Sequence, residues 1–223
     1  MKRLADDLYV FSVPPPYLIN VYLMGGVLVD SGTRQASGRI LRQVRGHSVS
    51  AMTLTHAHPD HQGSCHAVCE ALGIPLWCGA NDAEAVEKPE LILQRLPENW
   101  LTRTIGPLWT GPAHPVARRL REGDVVGGFT VLDTPGHSAG HVSYWRESDR
   151  VLVLGDVLAN FSPPAGLRGL CEPPRRYSPD PAENRRSARR VAALEPELVC
   201  FGHGPPLADP RRFVAFVRHL AVE

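Results

Sequence analysis

The chain has 223 residues, of which 43% are apolar, and its 24 Lys and Arg against 23 Asp and Glu give a formal net charge of +1. That length buries a sizeable core within one large domain, taken as residues 1–223, and the balanced charge excludes the strongly basic footprint of a nucleic-acid binder. Lys2 and Arg3 precede no long apolar stretch, and five cysteines argue against a disulfide framework on number alone, so a cytoplasmic protein with reduced thiols, no membrane span and no signal peptide is expected.

Short apolar, β-branched runs alternate with helix-like stretches, which reads as α/β. The first strands are expected at Leu8–Val13, Asn20–Met24 and Val27–Asp30, followed by a helix over Ser37–Arg45. A strand over Ala51–Thr55 then runs into Thr55-His56-Ala57-His58-Pro59-Asp60-His61, with a helix over Ser64–Leu72 after it. Neutral imidazoles and carboxylates are ligands for zinc, iron or manganese. His56 and His58 are two apart in an extended segment and point the same way, so both can hold one cation. Pro59 turns the chain, which leaves Asp60 and His61 for a second cation, and Gly63 lets the backbone pass closely.

Further on, a strand at Pro75–Cys78 and a helix at Pro89–Leu96 lead into Glu98–Val116, an irregular stretch holding Trp100 and Trp109. The chain divides near Gly111–Arg119, and each half offers strands, a histidine-bearing loop and a helix. In the second half Phe129–Asp133 leads to His137 and His141, and Ser143–Trp145 and Val151–Leu154 follow, the latter ending at Asp156. A carboxylate at the end of such an apolar run is costly unless paired or metal-bound, and its two oxygens can bridge two cations. Asn160–Pro179 is Pro- and Gly-rich and is expected to be irregular; it holds Phe161, Arg168, Arg175, Arg176 and Tyr177. A helix over Ala182–Leu194 has Asp180 as N-cap, Pro181 at its first position and Glu183 three after the cap. Its Arg185, Arg186, Arg189 and Arg190 are read as a solvated face. Leu198–Phe201 is a strand leading to His203, and Pro210–Leu220 is the last helix.

These ligand types in this order point to a two-metal hydrolytic centre. Two divalent ions would polarise a carbonyl and generate a nucleophilic bridging hydroxide without a serine or cysteine. Asp30, at a strand end, is expected to orient a ligand, and His141 to stand behind the ligands rather than among them. Cys65 and Cys69 are read as a packed apolar pair, and His47, His66, His114 and His219 as ordinary.

The set His56-x-His58-x-Asp60-His61 with His137, Asp156 and His203, preceded by Asp30, resembles the metallo-β-lactamase superfamily from about Tyr9 to Pro206. The resemblance implies a four-layer αββα sandwich with metals at one edge between the sheets. It assigns His56, His58 and His137 to one metal, Asp60, His61 and His203 to the other, and Asp156 to both. Asp156 stands where the true lactamases carry Cys or Ser, which turns the reading toward the glyoxalase II-like and lactonase-like hydrolases. The 223 residues do not include the glutathione-binding C-terminal helical domain of glyoxalase II. The expected activity is therefore hydrolysis of a small ester, thioester or lactone, with two divalent ions, zinc first and iron or manganese as alternatives, in a monomer or homodimer. Asp60 positions the nucleophile; Trp100, Trp109, Phe161 and Tyr177 are candidates for the substrate wall, and Arg168, Arg175 and Arg176 for an anionic group. The rival readings are a mononuclear iron persulfide dioxygenase using His56, His137 and Asp156, and a metal-dependent phosphodiesterase or nuclease.

Overall fold

Alternation along the strands sorts the apolar side chains into three separate cores, and those cores define the layers. In a computed structural model that describes residues 1–13, 16–162 and 167–221, a seven-stranded sheet runs β1 (Lys2–Ala5), β2 (Leu8–Ser12), β3 (Asn20–Met24), β4 (Val27–Val29), β5 (Ala51–Leu54), β6 (Leu76–Gly79) and β7 (Val116–Leu120), in that spatial order. The pairs from β1 to β4 are antiparallel and those from β4 to β7 parallel. A five-stranded sheet is formed by β8 (Val125–Val126), β9 (Phe129–Asp133), β10 (Val142–Arg146), β11 (Val151–Gly155) and β14 (Leu198–Phe201), in the order β14-β11-β10-β9-β8. A separate hairpin pairs β12 (Ala159–Ser162) with β13 (Leu167–Cys171).

Successive strand side chains point to opposite faces. Tyr22 and Met24 of β3 and Val27 and Val29 of β4 therefore meet Phe129, Val131, Tyr144, Val151 and Val153 of the other sheet in a central core. Val21, Leu23, Leu28, Met52 and Leu54 face outward onto helices α1 (Ser37–Gln43), α3 (Cys65–Leu72), α4 (Ala83–Glu87) and α5 (Glu90–Gln94), with Cys65 and Cys69 packed among them. On the far side Leu132, Leu152, Leu154, Val199 and Phe201 pack against α8 (Pro181–Ala192) and α9 (Pro210–Arg218). The layers are thus helix, sheet, sheet, helix, the αββα sandwich expected. Tyr22 and Tyr144 are fully buried in the central core, and their hydroxyls reach the Phe201 carbonyl (2.7 Å) and Thr53 Oγ1 (2.7 Å), so neither carries an unpaired polar atom inside.

Several expectations need correction. The stretch 98–116 contains two short helices, α6 (Trp100–Thr104) and α7 (Gly106–Trp109), and the stretch 160–179 contains the β12–β13 hairpin and a single 3-10 turn at Arg175–Tyr177. Arg185 does not belong to a solvated face. It is 7% exposed and grips Glu172 through Nε at 2.7 Å and Nη2 at 3.2 Å. Asp180 caps α8 as expected, accepting from the Glu183 N–H at 2.8 Å. Among the described residues no helix is long and apolar enough to cross a membrane.

Candidate metal centre

The strands β4, β5, β9, β11 and β14 all end at one edge of the sandwich, and each end delivers one part of the site. β4 gives Asp30, β5 runs into His56–His61 through the one-turn helix α2 (Pro59–Gln62), β9 leads to His137, β11 to Asp156 and β14 to His203. Among the described residues, three groups of side chains at this edge have their ligand atoms within 4.8 Å of one another: His56, His58 and His137; His56, His61 and Asp156; and Asp60, His61 and His203. Asp156 Oδ2 lies 3.4 Å from His61 Nε2, 3.5 Å from His137 Nε2 and 3.1 Å from His203 Nε2. Asp60 Oδ2 lies 3.3 Å from His203 Nε2.

Four of the five ligand imidazoles, all but His58, are turned by a bond at the other nitrogen. His61 Nδ1 donates to Asp30 Oδ2 at 2.9 Å, His137 Nδ1 pairs with Ser178 Oγ at 2.9 Å, and His203 Nδ1 donates to the Leu18 carbonyl at 2.5 Å. His56 Nδ1 lies 3.0 Å from Thr55 Oγ1, whose hydroxyl in turn reaches Asp30 Oδ2 at 2.9 Å. Asp30 therefore orients two of the histidines, and it accepts the Thr55 N–H at 2.7 Å as well. Its φ of +64° is a left-handed backbone that an aspartate tolerates better than most residues. The Nε2 atoms are left facing the centre. Those of His56 and His137, and Asp156 Oδ1, are buried without a hydrogen-bond partner among the described residues. Three orphaned buried atoms within one ligand cluster are costly for a polypeptide alone and fit a bound cation.

The electrostatics divide the histidines. Burial, aided by the neighbouring imidazoles, holds His56 and His137 well below the usual range, so both are neutral and have a lone pair to offer. Burial also lowers His61 and His203, but the carboxylates outweigh it: Asp156, Asp30 and Asp60 push His61 up to about 10, and Asp156 and Asp60 raise His203. Burial raises Asp60 and Asp156, and the facing His61 and His203 more than reverse this, so both stay ionised.

His141 is buried, and both its nitrogens are engaged. Nε2 accepts the Asp156 N–H at 3.0 Å, which leaves Nδ1–H to donate to Thr134 Oγ1 at 2.8 Å; Thr134 continues to Ser143 Oγ (2.9 Å) and Ser143 to the Leu154 carbonyl (2.9 Å). It therefore fixes the backbone of Asp156 and has no nitrogen left for a cation. Asp82, which the sequence did not flag, is 2% exposed and ties two ligand loops together. It accepts from the Ala57 N–H (3.0 Å), Ser138 Oγ (2.6 Å) and the Gly140 N–H (2.9 Å). Its one local signal was its place before the short helix α4, itself unmarked by any apolar repeat. Backbone proximity is demanded at several glycines, Gly202 and Gly63 among them. A Cβ on Gly202 would lie 2.0 Å from Asp156 Oδ1, and one on Gly63 would lie 2.4 Å from both Arg34 N and the Trp109 carbonyl.

A cavity of about 460 Å³ opens above these ligands, lined at its floor by His58, Asp60, His137, Asp156 and His203. Both segments expected to be irregular contribute to its walls: Thr102, Ile105 and Trp109, beside Leu96, on one side, and Phe161, Cys171, Pro174 and Tyr177 on the other. Arg176 also lines it, with its guanidinium 5.2 Å from the centre of the Tyr177 ring. Two candidates stand elsewhere. Trp100 is 73% exposed, because Thr102, two residues on and roughly 200° around the helix, takes the buried face. Arg175 is exposed and does not line the cavity, being one step around the turn from Arg176. The side chain of Arg168 lies outside the described residues. His66 and His114, read as ordinary, face each other with Nδ1 atoms 3.2 Å apart beside Glu70.

Comparisons with known proteins agree with this geometry. The sequence model of the metallo-beta-lactamase superfamily matches residues 14–203. Over 200 residues the chain is 28% identical to the probable metallo-hydrolase YflN of Bacillus subtilis, covering 81% of this chain and 76% of that protein. It is 37% identical over 182 residues to a hydroxyacylglutathione hydrolase of Methylobacterium nodulans, covering 78% of this chain but 57% of that protein. Among solved structures, the metallo-beta-lactamase family protein TTHA1429 of Thermus thermophilus is 30% identical with a TM-score of 0.69, covering 97% of this chain and 80% of that one. TTHA1623, solved in a di-iron-bound form, is 32% identical with a TM-score of 0.67, covering 90% and 94%. With its fold, its ligand order and a match across most of its length, the chain belongs to the metallo-β-lactamase superfamily.

Proposed function

We propose that the protein is a dinuclear metallohydrolase of small esters, thioesters or lactones. The observation that carries this reading is that His56 Nε2, His137 Nε2 and Asp156 Oδ1 are buried and unpartnered in one ligand cluster, and that His137 and Asp156 of this cluster line a cavity large enough for a small substrate. His56, His58 and His137 would hold one ion, Asp60, His61 and His203 the other, and Asp156 would serve both. Divalent ions bound there supply Lewis acidity toward a carbonyl oxygen and bring a water's pKa near neutrality. The protein's own groups do the rest. Asp60, ionised and at the cavity floor, accepts a hydrogen bond from the attacking water and orients it. The apolar walls exclude bulk water from the same point.

The curated relatives lend support, since a hydroxyacylglutathione is a thioester and its named hydrolases are similar to this chain. Zinc is the ion proposed, with iron the stated alternative in view of the di-iron form of TTHA1623. The proposed setting is cytoplasmic, with a small-molecule substrate, no nucleic acid or membrane partner, and a monomer or homodimer. The test is a panel of esters, thioesters and lactones offered to protein of known metal content. Turnover that vanishes on metal removal and returns on reloading supports the proposal; turnover indifferent to metal overturns it.

A further inference from the structure

Among the described residues, the cavity away from the ligands is walled almost entirely by carbon. Leu93, Leu96 and Ile105 form one side, and Phe161, Pro173 and Pro174 the other. Among the described residues two charged side chains, Glu172 and Arg176, stand at its edge. Glu172 is held by the buried Arg185 at 2.7 Å, and Arg176 lies over the Tyr177 ring. Among the described residues Arg176 is the only Lys or Arg lining the cavity. The segments that carry the two walls are tied by a hydrogen bond in which Asn99 Nδ2 donates to the Arg176 carbonyl at 3.2 Å. A peptide-like or multiply charged arm would lose its water here and find few partners, whereas a hydrocarbon arm loses nothing on entry.

We infer that this cavity holds a hydrocarbon chain carried by the substrate, so that the substrates are esters, thioesters or lactones of apolar chains rather than peptide-like thioesters. This inference rests on the hydrolase reading. The chain can sit on either side of the scissile bond, and the experiment separates the two. Metal-loaded protein is assayed on acetyl, butyryl, hexanoyl and octanoyl nitrophenyl esters, and in parallel on the acetate esters of ethanol, butanol, hexanol and octanol. The expected result is a kcat/KM that rises about fourfold per added methylene in one series until the cavity is full, the fold-change equivalent to about 0.8 kcal/mol per buried CH₂. A flat profile in both series, or a preference for the shortest member, overturns the inference and leaves the hydrolase reading intact. Leu93→Gln is expected to flatten the rise, and an unchanged rise in a folded variant contradicts the wall assignment. Calorimetric binding of octanoate and 1-octanol against acetate separates the two readings. If no ester is turned over yet the longer chains bind more tightly, the cavity assignment stands and the hydrolase reading falls. If neither turnover nor chain binding is seen, both fall.

Discussion

The floor and the walls of the cavity are built on opposite plans. The floor is polar, buried and assembled from strand ends: seven ligand candidates, with Asp30, Asp82, Thr55, Ser178 and His141 fixing their orientation or that of the backbone beside them. The walls are apolar, drawn from short helices and a hairpin, and joined to each other by a hydrogen bond from Asn99. The difference teaches a division of labour. Chemistry resides where a rigid scaffold over-determines a few nitrogens and oxygens, and selectivity where carbon surface can vary without moving them.

The largest expected effect breaks the floor. His58→Ala removes a ligand candidate and is expected to lower ester turnover by roughly a thousandfold or more, several kcal/mol of lost stabilisation, with metal content falling in parallel by elemental analysis. Asp30→Asn keeps the size and tolerates the left-handed backbone, but weakens the orientation of His61 and Thr55. A loss of about ten- to a hundredfold in metal affinity is expected, measured by chelator competition.

A third prediction concerns pH. Because the carboxylates raise His61 to about 10 and lift His203 as well, both are protonated at neutral pH in metal-depleted protein. A cation must expel these protons, so loading at neutral pH is expected to release about two protons into weakly buffered solution, and affinity is expected to rise with pH and fall as pH drops. Loading without proton release would contradict the charge arrangement described. The smallest effect touches only the walls. Asn99→Ala removes the hydrogen bond between them, worth about 1 kcal/mol, and is expected to raise KM about fivefold for a long-chain ester while kcat changes little.

The same contrast governs what could be read from the sequence. The floor was legible because its residues are chemically rare and tightly spaced: three histidines and an aspartate within His56–His61, then single residues after apolar runs. Strands at Asn20–Met24, Phe129–Asp133 and Leu198–Phe201 match the expected limits, since each is an apolar run with turn-forming residues beside it. In the two large sheets the strands missed were β1, β7 and β8, all at sheet edges. Edge strands carry charge, here Lys2, Arg3, Arg118 and Arg119, and so show no buried run. The walls were illegible for a related reason. Helices as short as Trp100–Thr104 and Gly106–Trp109 have no room for a periodic stripe, and proline and glycine around the hairpin imitate a loop. Asp82 escaped because its role lies in contacts to Ala57, Ser138 and Gly140, none of them predictable from its neighbours.

On the proposed function, the floor holds two divalent ions and hydrolysis depends on them. The most direct measurement counts metal per chain in protein purified without added metal, then follows ester turnover through chelation and reloading. About two ions per chain are expected, with activity lost on their removal and restored by their return. Full turnover in metal-depleted protein, or a single ion per chain that suffices for full activity, would contradict the proposed function.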